Sequence, residues 1–398
     1  MAAQSPIDPT LLRPALAPTL GHSRTLPAEA YTSQGVFDWE VEHFFEAGWV
    51  CVGRADELAQ PGDQKAFRIG REGILVVRDQ DGNLNGFYNT CRHRGHELLE
   101  PGTSRNLRAI KCPYHAWVYQ LDGSLGAAPR FGDLDGFDKA EYPLIAARIH
   151  EWHGWIFVNA DGFAPEFASY VGNLSELVPA WEPERLFVAA THGYVIEANW
   201  KTITENYHEC YHCPSIHPEL CVVTPPDSGE NYPHDGLWVG GSMVLKDFAA
   251  TMSLTGESAG VPIRGLNAKQ LREVYYFGLF PNLLLSLHPD YIMTHRFEPL
   301  GPGRSKVECQ WLFPPEAKDH PGFTPDYASE FWDITNKEDW LACESVYRGL
   351  QSGGFRQGPF AWSEDEVHIF MAMVAQGYLD GHVSKPPQIH EPAEGAGV

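Results

Sequence analysis

The sequence is short of positive charge. Its 29 lysines and arginines face 52 aspartates and glutamates, a formal net charge of −23. That imbalance argues against a nucleic-acid binder and against docking on an anionic membrane. It leaves a small-molecule substrate, and it mildly favours a cationic one or a basic electron carrier. Long apolar runs are missing too. No stretch would cross a bilayer, and the N-terminal residues show no basic segment followed by an apolar one, so no secretory signal is expected. The expected location is cytoplasmic. There is no Gly-rich dinucleotide fingerprint, no flavin motif and no internal repeat. The 8 cysteines do not have the spacing of a small secreted disulfide framework. In a reducing compartment, clustered Cys and His read as metal sites first.

What is present is enough for a sizeable core: 398 residues, 43% hydrophobic, consistent with two domains. Residues 1–30 carry scattered prolines and little periodicity. Phe37, Val41, Phe44 and Phe45 share a face, which predicts a short amphipathic helix over 36–48. From 49 to 161, short β-rich runs alternate with Pro61-Gly62, Asp81-Gly82 and Asp122-Gly123 turns, which predicts a compact all-β module. Beyond it, 163–181 reads as helical and Leu186–Glu197 as a strand. Trp200–Tyr211 reads as a helix that Pro214 stops. The Gly- and Pro-rich stretch 225–270 reads as loops. Strands follow at Val274–Leu279, Leu283–Leu287, Tyr291–Glu298 and Ser305–Phe313, then helices at Asp326–Leu350 and Asp365–Gln376. The expected division is an N-terminal arm 1–48 packing on the catalytic domain, a β domain 49–161, a catalytic domain 162–384 and a flexible tail 385–398.

Two constellations carry chemistry. In the β module, Cys91-x-His93 is followed by Cys112-x2-His115, each pair at a loop tip between strands. A Cys2His2 zinc finger presents its two Cys together and then its two His. Here each loop offers one thiolate and one imidazole. That suits a Rieske [2Fe–2S] cluster, with two thiolates on one iron and two imidazoles on the other. A zinc site remains the alternative. Gly95, Gly102 and Pro113 allow tight loops, and backbone amides and the Tyr114 hydroxyl are candidates to hydrogen-bond sulfur.

The second constellation is residues 205–217. Glu209, His212 and His217 stand at acid-x2-His-x4-His, and Glu205, His208 and His212 form a competing register. Two neutral imidazoles plus a carboxylate from elsewhere leave half the sphere of an iron(II) open, as oxygen chemistry on non-haem iron requires. One helical turn would place Glu209 and His212 on one face. His208 falls on the same face and reads as a polar neighbour of the site. The third ligand must come from distant sequence, and by spacing alone Glu338, Asp339 and Glu344 compete.

Asn89-Thr90-Cys91-Arg92-His93-Arg94-Gly95 and Cys112-Pro113-Tyr114-His115-Ala116-Trp117 resemble the ligand loops of the Rieske non-haem iron oxygenases, catalytic α subunit. The resemblance extends through Gly154-Trp155-Ile156-Phe157-Val158-Asn159, Asn199-Trp200-Lys201 and the 205–217 stretch, and covers roughly residues 35–380. It implies an α+β catalytic domain of the helix-grip (START-like) type with an all-β Rieske domain inserted. It selects the register with His212 and His217 on mononuclear Fe(II), and it places the third ligand at Asp339. It implies O2 as co-substrate, a homotrimer with head-to-tail contacts, and electrons from NAD(P)H through a separate flavin or iron-sulfur reductase. In the resembling enzymes the acid at position 209 hydrogen-bonds an iron-ligating His and reaches a cluster His of the neighbouring subunit. Ring-hydroxylating dioxygenases carry Asp there. Glu209 instead resembles the branch of choline, carnitine and glycine-betaine monooxygenases.

The expected activity is therefore hydroxylation of a C–H bond in a quaternary ammonium or N-alkyl substrate, with N-dealkylation or aldehyde release. An arene dioxygenase or aromatic O-demethylase is the alternative. A Rieske electron carrier would need only the β module. Aromatic faces hold trimethylammonium groups by cation–π attraction, and the candidate pocket residues are Tyr207, Trp238, Tyr275-Tyr276-Phe277 and Tyr291; core packing is the commoner fate of such rings. Arg296 or His288 is the candidate partner for a substrate carboxylate.

Overall fold

The computed structural model describes residues 5–132 and 134–387. Most of the expected tail, 388–398, lies outside the described residues. The chain forms two compact units. One ends at Glu40 and resumes at Ala168; the other spans Val41–Phe167. These borders differ by several residues from those expected at 48/49 and 161/162. The helix Gln34–Glu40 gives way to a wider turn, Val41–Glu46, rather than continuing. The Glu46 carboxylate accepts the Arg71 N–H at 2.6 Å, and the Glu46 carbonyl accepts from Asn159 Nδ2 at 3.1 Å. Residues 41–48 are thereby tied into the β unit.

The β unit holds three small antiparallel sheets. The largest runs Leu84–Tyr88, Glu72–Arg78, Asp63–Ile69, Ser104–Asn106. A second pairs Val50–Arg54, Trp155–Asn159 and Arg148–Trp152, and the third is the short Ile110–Lys111, Val118–Tyr119, Leu125–Ala127 meander. Ala66, Leu75, Val77, Phe87, Leu98, Ile110 and Trp117 form one core, and Cys91 and Cys112 are buried in it.

The other unit is built on a seven-stranded antiparallel sheet, ordered Phe187–Ile196, Arg304–Phe313, Ile292–Gly301, Leu283–Leu287, Glu273–Leu279, Trp238–Val244, Glu230–Asn231. Leu283–Leu287 and the first half of Ile292–Gly301 are buried at successive positions, so the centre of the sheet is covered on both faces. The last two strands arise from the stretch expected as loops. The glycines that suggested a loop are instead places where strands press together. A Cβ on Gly240 would lie 2.0 Å from the Tyr276 carbonyl oxygen, and one on Gly241 2.0 Å from that of Glu230. The segment 163–181 is likewise not one helix but short turns at Phe167–Val171, Leu174–Leu177 and Pro179–Trp181. Gly172 breaks it with φ of +55°, where a Cβ would meet the Asp235 carbonyl.

Two helices position the site. Trp200–Tyr207 starts at an Asn199 cap, whose Oδ1 accepts the Lys201 N–H at 2.9 Å. Trp200 Nε1 donates to Glu40 at 2.8 Å, and the fully buried Lys201 ammonium pairs with the same carboxylate at 2.5 Å. A charge is tolerated at such depth only when paired, so these contacts pin the helix start. The long helix Asp326–Leu350 packs on that helix and on strand Phe187–Ile196. Its buried residues, Ala328, Phe331, Trp332, Thr335, Asn336, Trp340 and Cys343, recur at helical spacing. Asp339 lies on the same stripe, three residues after Asn336, whose Oδ1 meets His295 Nε2 of the sheet at 2.9 Å. The result is an α+β, helix-grip catalytic unit. Among the described residues no helix is long and apolar enough to cross a membrane.

Candidate metal centres

The two loops of the β unit share one backbone design. Cys91 N–H donates to the His96 carbonyl at 2.9 Å, and Gly95 N–H returns to the Cys91 carbonyl at 3.0 Å. Cys112 N–H donates to the Trp117 carbonyl at 2.8 Å, and Ala116 N–H returns to the Cys112 carbonyl at 3.2 Å. The fourth residue after each Cys has positive φ: Gly95 at +71° and Ala116 at +57°. The alanine holds a conformation that costs a side chain on the order of 1 kcal/mol. Such strain persists where the surroundings over-determine the loop.

These loops bring the four residues together. The two thiols are buried and adjacent, with the backbone amides of Tyr114 and His115 directed at the Cys112 sulfur. The His93 and His115 rings are only half-buried and lie 4.6 Å apart, with His93 stacked on Trp117 at 5.0 Å. His93 Nδ1 is a buried nitrogen with no hydrogen-bond partner. Thiols inward, imidazoles outward and an orphaned ring nitrogen fit a cluster held by two S and two N ligands. The expectation for Tyr114 fails: it is 53% exposed. The hydroxyl near sulfur belongs to Tyr119, 3.3 Å from Cys91 Sγ, and it also accepts the Arg92 N–H at 3.0 Å. Tyr119 lies on a strand beyond the loop, so the loop motif did not point to it.

The second site lies in the other unit. The helix Trp200–Tyr207 ends at His208, earlier than expected, and Cys213–Ile216 and Pro218–Val223 follow as separate short helices. Glu209 and His212 therefore do not share a continuous helix face. Glu209 instead accepts the His212 backbone N–H at 3.1 Å on one oxygen and a hydrogen bond from His212 Nδ1–H on the other. Cys210 and Cys213 form a disulfide across this bend, with Cα atoms 4.9 Å apart. Joined to each other, these two cysteines offer no free thiolate beside the histidines.

The bend aims both histidines at one point. His212 Nε2, His217 Nε2 and an Asp339 oxygen all lie within 4.8 Å of one another. Asp339 Oδ1 is 2.8 Å from His217 Nε2 and 3.4 Å from His212 Nε2. The outer nitrogens are each held by a carboxylate: Glu209 on His212 and Glu338 on His217, the latter at 2.7 Å. Carboxylates on the far nitrogens fix the tautomer so that both Nε2 lone pairs face the common point, the usual dressing of metal-bound imidazoles. Sequence spacing treated Glu338 as a rival of Asp339, yet the two adjacent acids act on opposite nitrogens of one ring. Burial alone would lower His212, but the Asp339 and Glu209 hydrogen bonds raise it to about 9. Burial would raise Asp339, and the two imidazoles bring it below the usual carboxylate range. So much acid around two imidazoles fits a divalent cation.

A cavity of about 620 Å³ opens on this point. Tyr207, Tyr276 and Trp332 line it, with Glu366, His208 and Asn206. Of the expected pocket residues Tyr207 and Tyr276 do so. In Tyr275-Tyr276-Phe277 the strand alternates, so Tyr276 faces the cavity while its neighbours face the core. Trp238 is buried against Phe277 at 5.4 Å. His288 and Tyr291 are buried and stacked on each other at 4.0 Å. Arg296 is paired with Glu308 at 2.9 Å. None of these reaches the cavity, and no lysine or arginine is among its lining residues. His208 does line it, but faces Glu366 at 3.5 Å rather than His212, and burial lowers its pKa to about 3.

The model of the ring hydroxylating alpha subunit (catalytic domain) matches residues 183–379, and that of the Rieske [2Fe-2S] domain matches 48–138. The carnitine monooxygenase oxygenase subunit of Acinetobacter pittii (strain PHEA-2) is 39% identical over 372 residues, 88% of this chain and 94% of that one. Among solved structures, the quaternary ammonium Rieske monooxygenase CntA in complex with L-carnitine has a TM-score of 0.75 at 28% identity, over 94% of this chain and 99% of that one. Naphthalene 1,2-dioxygenase from Rhodococcus sp. reaches 0.76 at 21% identity, over 93% and 98%. That second likeness speaks for the fold alone. With a Rieske [2Fe–2S] domain, a non-haem iron catalytic domain and these relatives, the chain belongs to the Rieske oxygenases, as a catalytic α subunit.

Proposed function

We propose that this subunit hydroxylates a C–H bond on an N-alkyl carbon of a quaternary ammonium substrate, using O2 and electrons that a separate reductase draws from NAD(P)H in the cytoplasm. One observation carries the reading. The His212–His217–Asp339 point opens on a cavity with aromatic walls, several carboxylates and, among the described residues, no lysine or arginine. Its rings can pack against a cation or an arene, but its carboxylates favour the cation. The relatives agree, being oxygenase subunits that act on carnitine and glycine betaine by name.

In this reading Cys91, His93, Cys112 and His115 hold the cluster, and His212, His217 and Asp339 hold Fe(II). The bound metals supply single electrons and oxygen activation. The chain's own residues do the rest. Glu209 and Glu338 keep protons on the two Nδ1 atoms, so the Nε2 atoms stay free to bind metal. Tyr207, Tyr276 and Trp332 hold the substrate cation by their faces. A hydroxyl placed on a carbon attached to nitrogen expels the amine and leaves an aldehyde. Head-to-tail assembly as a homotrimer would bring a neighbour's cluster to Glu209, which then links the two metal sites.

The test is oxygen uptake with NADH and a surrogate reductase. Carnitine, γ-butyrobetaine, glycine betaine and choline are compared with naphthalene and a methoxybenzoate. Aldehyde formation from an ammonium compound is expected. A labelled diol from naphthalene, with no turnover of any ammonium compound, would overturn the reading.

A further inference from the structure

Most acids around the cavity already have partners. Glu209 and Asp339 are bound to histidines, Glu230 is 3.3 Å from Lys269, and Asp365 accepts from Asn231. Asp227 and Glu366 also line the cavity and accept no hydrogen bond from the described residues. Asp227 is exposed, whereas Glu366, in the first turn of the helix Asp365–Asp380, has its side chain only 12% exposed. Of its ionisable neighbours, the adjacent Asp365 repels it and His208 Nδ1 stands 3.5 Å away, too far for a hydrogen bond. His208 is itself only 4% exposed, lines the same cavity, and has no partner on either ring nitrogen. The buried, unsatisfied ring nitrogens of His208 are costly in a native interior, and with the largely buried Glu366 carboxylate beside them they mark a place that a ligand completes.

The aromatic lining names the ligand. Tyr207 meets Tyr276 edge-on at 5.9 Å, and Tyr276 meets Trp332 edge-on at 6.5 Å, so three rings form a continuous surface. The Tyr207 hydroxyl is turned away, donating to the Leu285 carbonyl at 2.7 Å, which leaves ring rather than hydroxyl toward the cavity. Aromatic rings and a carboxylate lining one cavity attract positive charge carried on apolar groups. No lysine or arginine lining the cavity competes for the carboxylate.

We propose that Glu366 is the specificity-determining residue that recognises the positive charge of the substrate. The proposal rests on the quaternary ammonium reading above. Its carboxylate supplies the charge, and the rings supply the shape. The cationic nitrogen is the missing partner, and its arrival keeps the carboxylate ionised in a site where burial disfavours that form. A neutral molecule of the same shape would meet the rings equally well but leave Glu366 unsatisfied.

The experiment uses the full chain with both metal centres loaded and compares choline with its uncharged carbon isostere, 3,3-dimethyl-1-butanol, by calorimetric titration. Wild-type protein should prefer choline by about tenfold or more, the scale of one desolvated charge contact. Glu366→Gln should lose that preference by weakening choline alone, and Glu366→Asp should keep part of it. Iron content and the visible spectrum of the cluster, unchanged in both variants, exclude misfolding. A wild-type preference that survives intact in Glu366→Gln would overturn this proposal and leave the ammonium reading standing. No preference in wild type would overturn the ammonium reading itself.

Discussion

The two proposed metal sites are built on opposite plans. The cluster site is local: two loops, each carrying one thiol and one imidazole a few residues apart, closed by the same pair of backbone hydrogen bonds. The iron site is assembled. Its histidines sit on an irregular bend, its carboxylate comes from a helix more than a hundred residues on, and its orientation depends on the side chains Glu209 and Glu338. Backbone-closed loops tolerate loss of a neighbouring side chain. A site oriented by side chains does not, because each orienting contact is one substitution away from loss.

The largest expected effect tests whether the sites are separable. Asp339→Ala or His217→Ala should abolish product formation and remove the mononuclear iron, while the cluster spectrum stays. Loss of the cluster in either variant would show the two sites to be one structural unit. Next comes Glu209→Ala, which should retain both metal centres and a reducible cluster yet give almost no product in steady state. Turnover near the wild-type rate would remove the proposed electron link. Glu338→Gln sharpens the contrast. It should weaken Fe(II) binding by about 10–100-fold, the range seen for such outer contacts, and activity should return with added iron. If iron content is unaffected, the orienting role is wrong. The smallest effect belongs to the backbone-closed site. Tyr119→Phe removes one hydroxyl near sulfur and should lower the cluster potential by about 20–60 mV, the electrical equivalent of one ordinary hydrogen bond, with the cluster still bound. A cluster that fails to assemble would show that this site, too, depends on a side chain.

The same contrast decides what was legible. Cys91-x-His93 and Cys112-x2-His115 stand close in the chain, so their spacing already says that each pair points one way. Strands and the long helix announced themselves by periodicity: Leu283–Leu287 and Asp326–Leu350 lie where the pattern places them. The breaks were harder to read. Trp200–Tyr207 stops short because the Glu209 carboxylate captures the His212 N–H, a side-chain competition that periodicity does not register. Gly240 and Gly241 read as loop because composition does not distinguish a flexible glycine from one that a neighbouring strand requires.

By itself, then, the sequence determined the kinds of ligand, their local grouping and the presence of a β module beside an α+β unit, because these follow from covalent spacing and from the periods of strand and helix. His212 and His217 needed the family resemblance to choose between two registers. Only the tertiary structure decided which acid serves which ring nitrogen, that Tyr119 rather than Tyr114 stands by sulfur, and that Tyr276 rather than Tyr275 or Phe277 faces the cavity. It also decided that Glu366 lines the cavity beside His208 and accepts no hydrogen bond from the described residues. These facts depend on which elements meet across the unit, and residues that meet there are far apart along the chain.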